Sequence, residues 1–147
     1  MKGTYCLIIE NKKECDLTVG KKGNFHFEKG FYVYVGSALN SLPGRIKRHL
    51  SSSKKLFWHV DYLLAAPPTR VIEVVFATGP QKVECAISHK ISLKSKEIPG
   101  FGSSDCRCKS HLFYFKDSTE SIKICKDAFL KNKLVPQDLS QLSLKKV

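Results

Sequence analysis

The stretch Gly30-Phe31-Tyr32-Val33-Tyr34-Val35-Gly36 decides the fold. Its aromatic and β-branched residues suit a pleated, buried strand, and glycine bounds it at both ends. Upstream, Gly3-Thr4-Tyr5-Cys6-Leu7-Ile8-Ile9 reads in the same way. Two shorter strands are expected between them, over residues 16–20 and 24–28. Phe25 and Phe27 alternate there with Asn24, His26 and Glu28, a period of two, and Gly20 and Gly23 punctuate the chain. Successive strands joined by short turns imply an antiparallel sheet.

Beyond Gly36 the period changes. Ser41-Leu42-Pro43-Gly44 starts a helix, with Ser41 as N-cap and Pro43 in the first turn. Leu42, Ile46, His49 and Leu50 share one face. A second short helix spans about residues 58–65 and stops before Pro67-Pro68. Residues 71–77, VIEVVFA, read as a buried strand, and residues 81–93 as a helix. Residues 98–109 form a loop, 112–115 a last strand, and Ser118 opens an amphipathic helix with Ile122, Cys125, Phe129 and Leu130 inward. The expected fold class is α+β: a small, mostly antiparallel sheet flanked by helices, with an extra β-hairpin after the first strand. The expected division is a main domain over 1–116, a C-terminal helix over 117–135 packed on it, and a mobile tail over 136–147.

The chain has 147 residues and 42% hydrophobic content, enough for a real core. It has no apolar run long enough to span a bilayer and no recognisable secretion signal, so no membrane partner and a cytoplasmic location are expected. Absence of coiled-coil heptads leaves a monomer as the expectation. With 25 Lys and Arg against 13 Asp and Glu, the net charge is +12, which favours a polyanionic partner. The charge clusters: residues 42–58 hold Arg45, Lys47, Arg48, Lys54 and Lys55 and no acidic residue. A lysine-rich solvated surface is the bland alternative.

Cysteines stand at 6, 15, 85, 106, 108 and 125. Without a secretion signal a disulfide framework is not expected. Cys6 and Cys85 lie in apolar patterns and read as small buried hydrophobes. Cys106, Cys108 and His111 form C-x-C-x-x-H, which lacks a second ligand pair, so zinc is not expected. A phosphate-contacting loop using Ser103, Ser104, Arg107 and Lys109 fits that segment better.

Two tyrosines thus sit in strands beside glycines, as Gly3-Thr4-Tyr5 and Tyr34-Val35-Gly36. Arg45 and His49 lie four apart on one helix face, His59 follows in the next helix, and Glu84 sits early in a later one. This order resembles the GIY-YIG nuclease family, with Thr4 and Val35 at the usual isoleucine positions. More narrowly, YVYVGSA (32–38), KLFWHVDYLL (55–64) and PGFGSSDCRCKSHLFY (99–114) are similar to a stand-alone GIY-YIG-like family of uncharacterised function. The resemblance covers roughly residues 2–115. Tyr5 and Tyr34 lie 29 positions apart, farther than the family's usual short hairpin, which is where the extra hairpin falls. The family's asparagine after the glutamate helix has no clear match.

The resemblance implies a metal-dependent endonuclease acting on DNA, with Tyr5, Tyr34, Arg45, His49, His59 and Glu84 in the catalytic site. Glu84 would hold one Mg2+ or Mn2+, a hard cation that takes carboxylate oxygen and keeps several waters. Arg45 would contact phosphate through its planar fork. Tyr5, as phenol or tyrosinate, would act as base, and Tyr34 would position water or phosphate. A phenol titrates near 10, so Arg45, a lysine or the metal is expected to lower it. Lys47, Arg48, Lys54, Lys55, Ser104, Arg107 and Lys109 are the expected nucleic-acid contacts. Two rival readings remain: a nucleic-acid-binding module that does not cut, and a protein-interaction domain whose partner binds the extra hairpin.

Overall fold

The computed structural model describes residues 2–51, 56, 58–79, 83–102, 108 and 110–144, with no side-chain description at 143 and 144. Of the expected nucleic-acid contacts, Lys54, Lys55, Ser104, Arg107 and Lys109 lie outside the described residues, as do Ser103, Asp105 and Cys106.

The chain is α+β. Strands β1 (Gly3–Asn11), β4 (Gly30–Ala38), β5 (Thr69–Thr78), β6 (Lys96–Glu97) and β7 (Leu112–Phe115) form one sheet in the order β5-β1-β4-β7-β6. All its pairings are antiparallel. Strands β2 (Cys15–Thr18) and β3 (Asn24–Phe27) make the separate hairpin expected between the two tyrosine strands. The helices are α1 (Leu42–Leu50), α2 (His59–Leu64), α3 (Glu84–Ser92), α4 (Ser118–Lys131) and α5 (Leu139–Leu144). No helix among the described residues is long and apolar enough to cross a membrane.

Strand β1 lies inside the sheet between β5 and β4, and both its faces are covered, which explains its unbroken apolar run. Alternation splits its side chains between two cores. Tyr5, Leu7 and Ile9 pack with Leu42 and Ile46 of α1, Val60 and Leu63 of α2, and Phe27 of the hairpin. Cys6 and Ile8 pack with Ile87 and Ile91 of α3 and with Cys125 and Phe129 of α4. Each such side chain, fully buried, contributes roughly 1.5–3 kcal/mol of transfer free energy.

The register of β1 with β4 sets the two tyrosines. Tyr5 lies opposite Gly36, and Tyr34 lies opposite Leu7. They are therefore diagonal neighbours on one face, with ring centroids 6.5 Å apart. Gly36 is required for this: a Cβ there would stand 2.5 Å from the Tyr5 hydroxyl and 2.6 Å from Cζ. The Tyr5 ring lies across the bare backbone of the second motif.

Of the tail expected to be mobile from residue 136, the stretch 137–142 is packed on the rest of the chain. Gln137 and Phe76 exchange backbone hydrogen bonds of 2.9 and 2.7 Å. The Glu73 carboxylate accepts from the Leu139 N–H at 2.9 Å, and Leu142 is buried. Asp138 accepts from the Ser140 N–H at 3.1 Å, so the segment has its own turn-starting acid and an apolar anchor.

Candidate functional site

Helix α1 brings its side chains to the tyrosines because its start is well specified. Ser41 Oγ accepts from the Gly44 N–H at 3.1 Å, and Pro43 occupies the first turn. Leu42 and Ile46 seat the helix on the sheet, and His49 comes over the same face. The Tyr5 hydroxyl and His49 Nε2 lie 2.7 Å apart, both buried. The His49 ring stands 5.3 Å from the Tyr5 ring and 6.2 Å from the Tyr34 ring, centroid to centroid. Arg45, one turn earlier, is half-buried and donates to the Ser37 carbonyl at 3.1 Å, and its charge acts on the Tyr5 hydroxyl.

Helix α2 supplies a residue that sequence reasoning missed. Asp61 is fully buried and takes both Arg48 guanidinium nitrogens, at 3.0 and 3.1 Å. Asp61 Oδ2 also accepts from the Trp58 N–H at 2.9 Å. His49 Nδ1 faces Asp61 Oδ1 at 3.9 Å. Tyr5, His49 and Asp61 thus stand in a row. Arg45 and Arg48 both lie over the Trp58 ring, at 4.4 and 4.3 Å. The aromatic face fixes both cations as well as packing them. A groove of about 500 Å³ reaches His49 and Asp61 past Ser51, Thr69 and Arg70. The sequence signal for Asp61 was an acid three residues after Trp58, at the start of an otherwise apolar helix.

Glu84 opens α3 and is half-buried. Its charge is felt by Tyr5 and Tyr34 alike, raising the pKa of each. Burial is the larger cause for both phenols, and Asp61 adds to it, whereas Arg45 acts in the opposite sense. The expected lowering of Tyr5 by Arg45 is therefore corrected. Arg45 is present and pulls the right way, but desolvation of a buried phenolate outweighs it. Both tyrosines are neutral phenols at physiological pH.

The structure brings Tyr5, Tyr34, Arg45 and His49 together, with the Glu84 charge acting on both phenols, and buries the tyrosines: Tyr5 is 1% exposed and Tyr34 8%. His59 sits apart from this group. Its Nδ1 accepts from the Gly102 N–H at 2.8 Å, and its ring meets Phe101 edge-on at 5.6 Å. Burial and then Lys22 lower its pKa, so the neutral acceptor form is the stable one. His59 fastens the 98–102 loop, whose Gly102 (φ +71°) lies against Tyr34. A Cβ on Gly102 would come within 3.0 Å of that ring. Arg48, expected to contact nucleic acid, has its fork on the Asp61 carboxylate and lies over the Trp58 ring. Lys47 is exposed on α1.

No curated protein and no solved structure matches the chain. One family does, described as "Domain of unknown function DUF123", over residues 4–134. That span holds Tyr5, Tyr34, Arg45, His49, Asp61 and Glu84, the extra hairpin and α1 to α4, and so this chain belongs to the DUF123 family.

Proposed function

We propose that the chain is a metal-dependent endonuclease of the GIY-YIG type that hydrolyses phosphodiester bonds, with DNA as substrate. The observation that carries this reading is the convergence of two strand tyrosines, a helix arginine and a glutamate, in which both phenols sense the Arg45 and Glu84 charges. These groups come from four separate elements, and packing alone needs none of their charges there. The net charge of +12 supports a polyanionic substrate.

The donor chemistry at Glu84 fits a hard cation. It is a single half-buried carboxylate beside neutral phenols, which suits Mg2+ or Mn2+ bound mostly by water. Such an ion would polarise the phosphate and stabilise the leaving oxygen. Arg45 would give the developing charge a fixed donor, since Trp58 and the Ser37 carbonyl already hold its guanidinium. Tyr5 works in this reading as a relay and not as a tyrosinate. Its oxygen takes a proton from the attacking water as its own proton moves to His49 Nε2. The imidazolium so formed faces the Asp61 carboxylate. Tyr34 orients water or phosphate from the neighbouring strand.

Burial of both tyrosines favours a second reading, a nucleic-acid-binding module on the same scaffold. The two separate on Glu84. Plasmid and branched DNA are incubated with the protein and Mg2+ or Mn2+, alongside the Glu84→Gln and Arg45→Ala variants checked for folding. The nuclease reading expects cleavage that both variants lose, with Arg45→Ala costing about 10²–10³ in rate. The binding reading expects salt-sensitive retention of DNA, unchanged by Glu84→Gln or by metal. Absence of metal-dependent cleavage over a broad panel of DNA and RNA sinks the first.

A further inference from the structure

The C-x-C-x-x-H segment lacks a partner in sequence, but the fold supplies one. Cys85, in the first turn of α3, comes beside Cys108 and His111. One ligand atom from each of the three lies within 4.8 Å of the others. Cys85 Sγ and His111 Nε2 are 4.0 Å apart. Zn–S and Zn–N bonds of about 2.3 and 2.0 Å in a tetrahedron put neighbouring donors roughly 3.6–3.8 Å apart. Closing the set asks only for small side-chain rotations.

A second observation points the same way. His111 is buried, and its Nδ1 lies 2.6 Å from Ser88 Oγ, one turn along α3 from Cys85. With Nδ1–H donating to that hydroxyl, Nε2 keeps its lone pair and aims it at the sulfurs. A ligating histidine is held in this way by an outer partner. The backbone of His111 is pinned as well, its carbonyl accepting from Val35 N–H at 2.9 Å and its N–H donating to the Phe101 carbonyl at 2.8 Å. Cys85 and Cys108 also border a cleft of about 300 Å³ with Ser88, His89, Glu97 and Phe113 on its walls.

We propose that Cys85, Cys108 and His111 bind one zinc ion, with the fourth coordination position turned to the cleft and taken by water. Two thiolates and a neutral imidazole are soft and borderline donors, which select zinc over magnesium. Binding releases the two thiol protons to solvent and leaves the ion–thiolate unit neutral. The ion ties the first turn of α3 to the chain just before β7. It thereby holds the backbone that carries Glu84 on one side and the Val35 contact on the other. The site is independent of the nuclease reading, because its donors and its ion differ from those at Glu84.

The test uses the whole chain, without an affinity tag, reduced and loaded with zinc and then passed through desalting. Elemental analysis should give one zinc per chain. Cobalt loaded in its place should show thiolate-to-metal charge transfer in the near ultraviolet and intense visible bands of a tetrahedral site. Cys85→Ser and Cys108→Ser should each abolish the charge-transfer intensity or halve it. Ser88→Ala should weaken zinc about ten- to a hundredfold in competition with a chromophoric chelator. Should Cys85→Ser fail to fold, the wild-type cobalt spectrum and Ser88→Ala still decide. Substoichiometric zinc, a cobalt spectrum without thiolate bands, or a Cys85–Cys108 disulfide under these reducing conditions would overturn the assignment.

Discussion

Replacing Gly36 with alanine tests whether the Tyr5 ring needs that bare backbone. The new Cβ would stand 2.5 Å from the Tyr5 hydroxyl, 2.6 Å from Cζ and 3.0 Å from Cε2. Comfortable carbon contacts begin near 3.5 Å, so the ring must move by about 1 Å. It has little room, with His49 hydrogen-bonded at 2.7 Å and Tyr34 beside it. Overpacking of a full core costs about 1–3 kcal/mol. Loss of the Tyr5–His49 hydrogen bond adds about 1 kcal/mol. Alanine recovers roughly 0.5–1 kcal/mol through its smaller backbone entropy in a strand. The expected net loss is about 2 kcal/mol, which at this chain length lowers Tm by about 5–8 °C. Urea denaturation with far-UV circular dichroism measures it directly. Tyr5→Phe removes the nearest atom and frees the ring from His49. The cost of Gly36→Ala should therefore shrink by at least about 0.5 kcal/mol in the Tyr5→Phe background. A Gly36→Ala variant as stable as the parent, or strictly additive losses in the double variant, would refute the reasoning.

Asp61→Asn should cost about 3–5 kcal/mol, because it leaves the Arg48 guanidinium facing a buried amide, whereas Lys47→Ala should stay within about 0.5 kcal/mol; equal losses in denaturant melts would contradict the assigned roles. Leu142→Ala should cost at least about 2 kcal/mol if α5 is part of the core, and a neutral result would return residues 137–144 to the status of a tail. Imidazole NMR titrations should place the His59 midpoint below about 6.5 and the His26 midpoint above it, His59 lowered by burial and Lys22, His26 raised chiefly by Asp16. The signs for stability are opposite: the His59 contribution is present above pH 6.5 and is lost as pH falls toward its folded value, while that of His26 is present below pH 6.5 and is lost as pH rises through its folded value. Midpoints on the wrong sides would refute the local geometry at Gly102 or at the hairpin.

The sheet, the hairpin and the α1 start were legible because they are local. Alternation, glycine punctuation and a Ser-Leu-Pro-Gly start need only neighbouring residues. The Tyr5–Tyr34 pairing was legible through the order of the two glycine-flanked motifs. What escaped was set by distant partners. Asp61 drew no reading from the sequence, since nothing adjacent reveals that Arg48 will enclose it. Cys85 looked apolar by helical spacing, yet it faces a histidine 26 residues away. Helix α5 is short, and its anchor, Glu73, lies 66 residues upstream of Leu139. The state of Tyr5 was misjudged for a different reason. A neighbouring cation can be inferred from sequence, but the depth of burial that outweighs it cannot.

Trp58 is the chain's only tryptophan, and it carries the guanidinium groups of Arg45 and Arg48 over its ring with His49 5.7 Å away. The molecule therefore holds its own optical gauge at the heart of the cluster. An anion that draws Arg45 off the indole, or a proton gained by His49, alters the emission of a single fluorophore. Ligand titrations can be followed on the native chain, with no dye to perturb the arginines being watched.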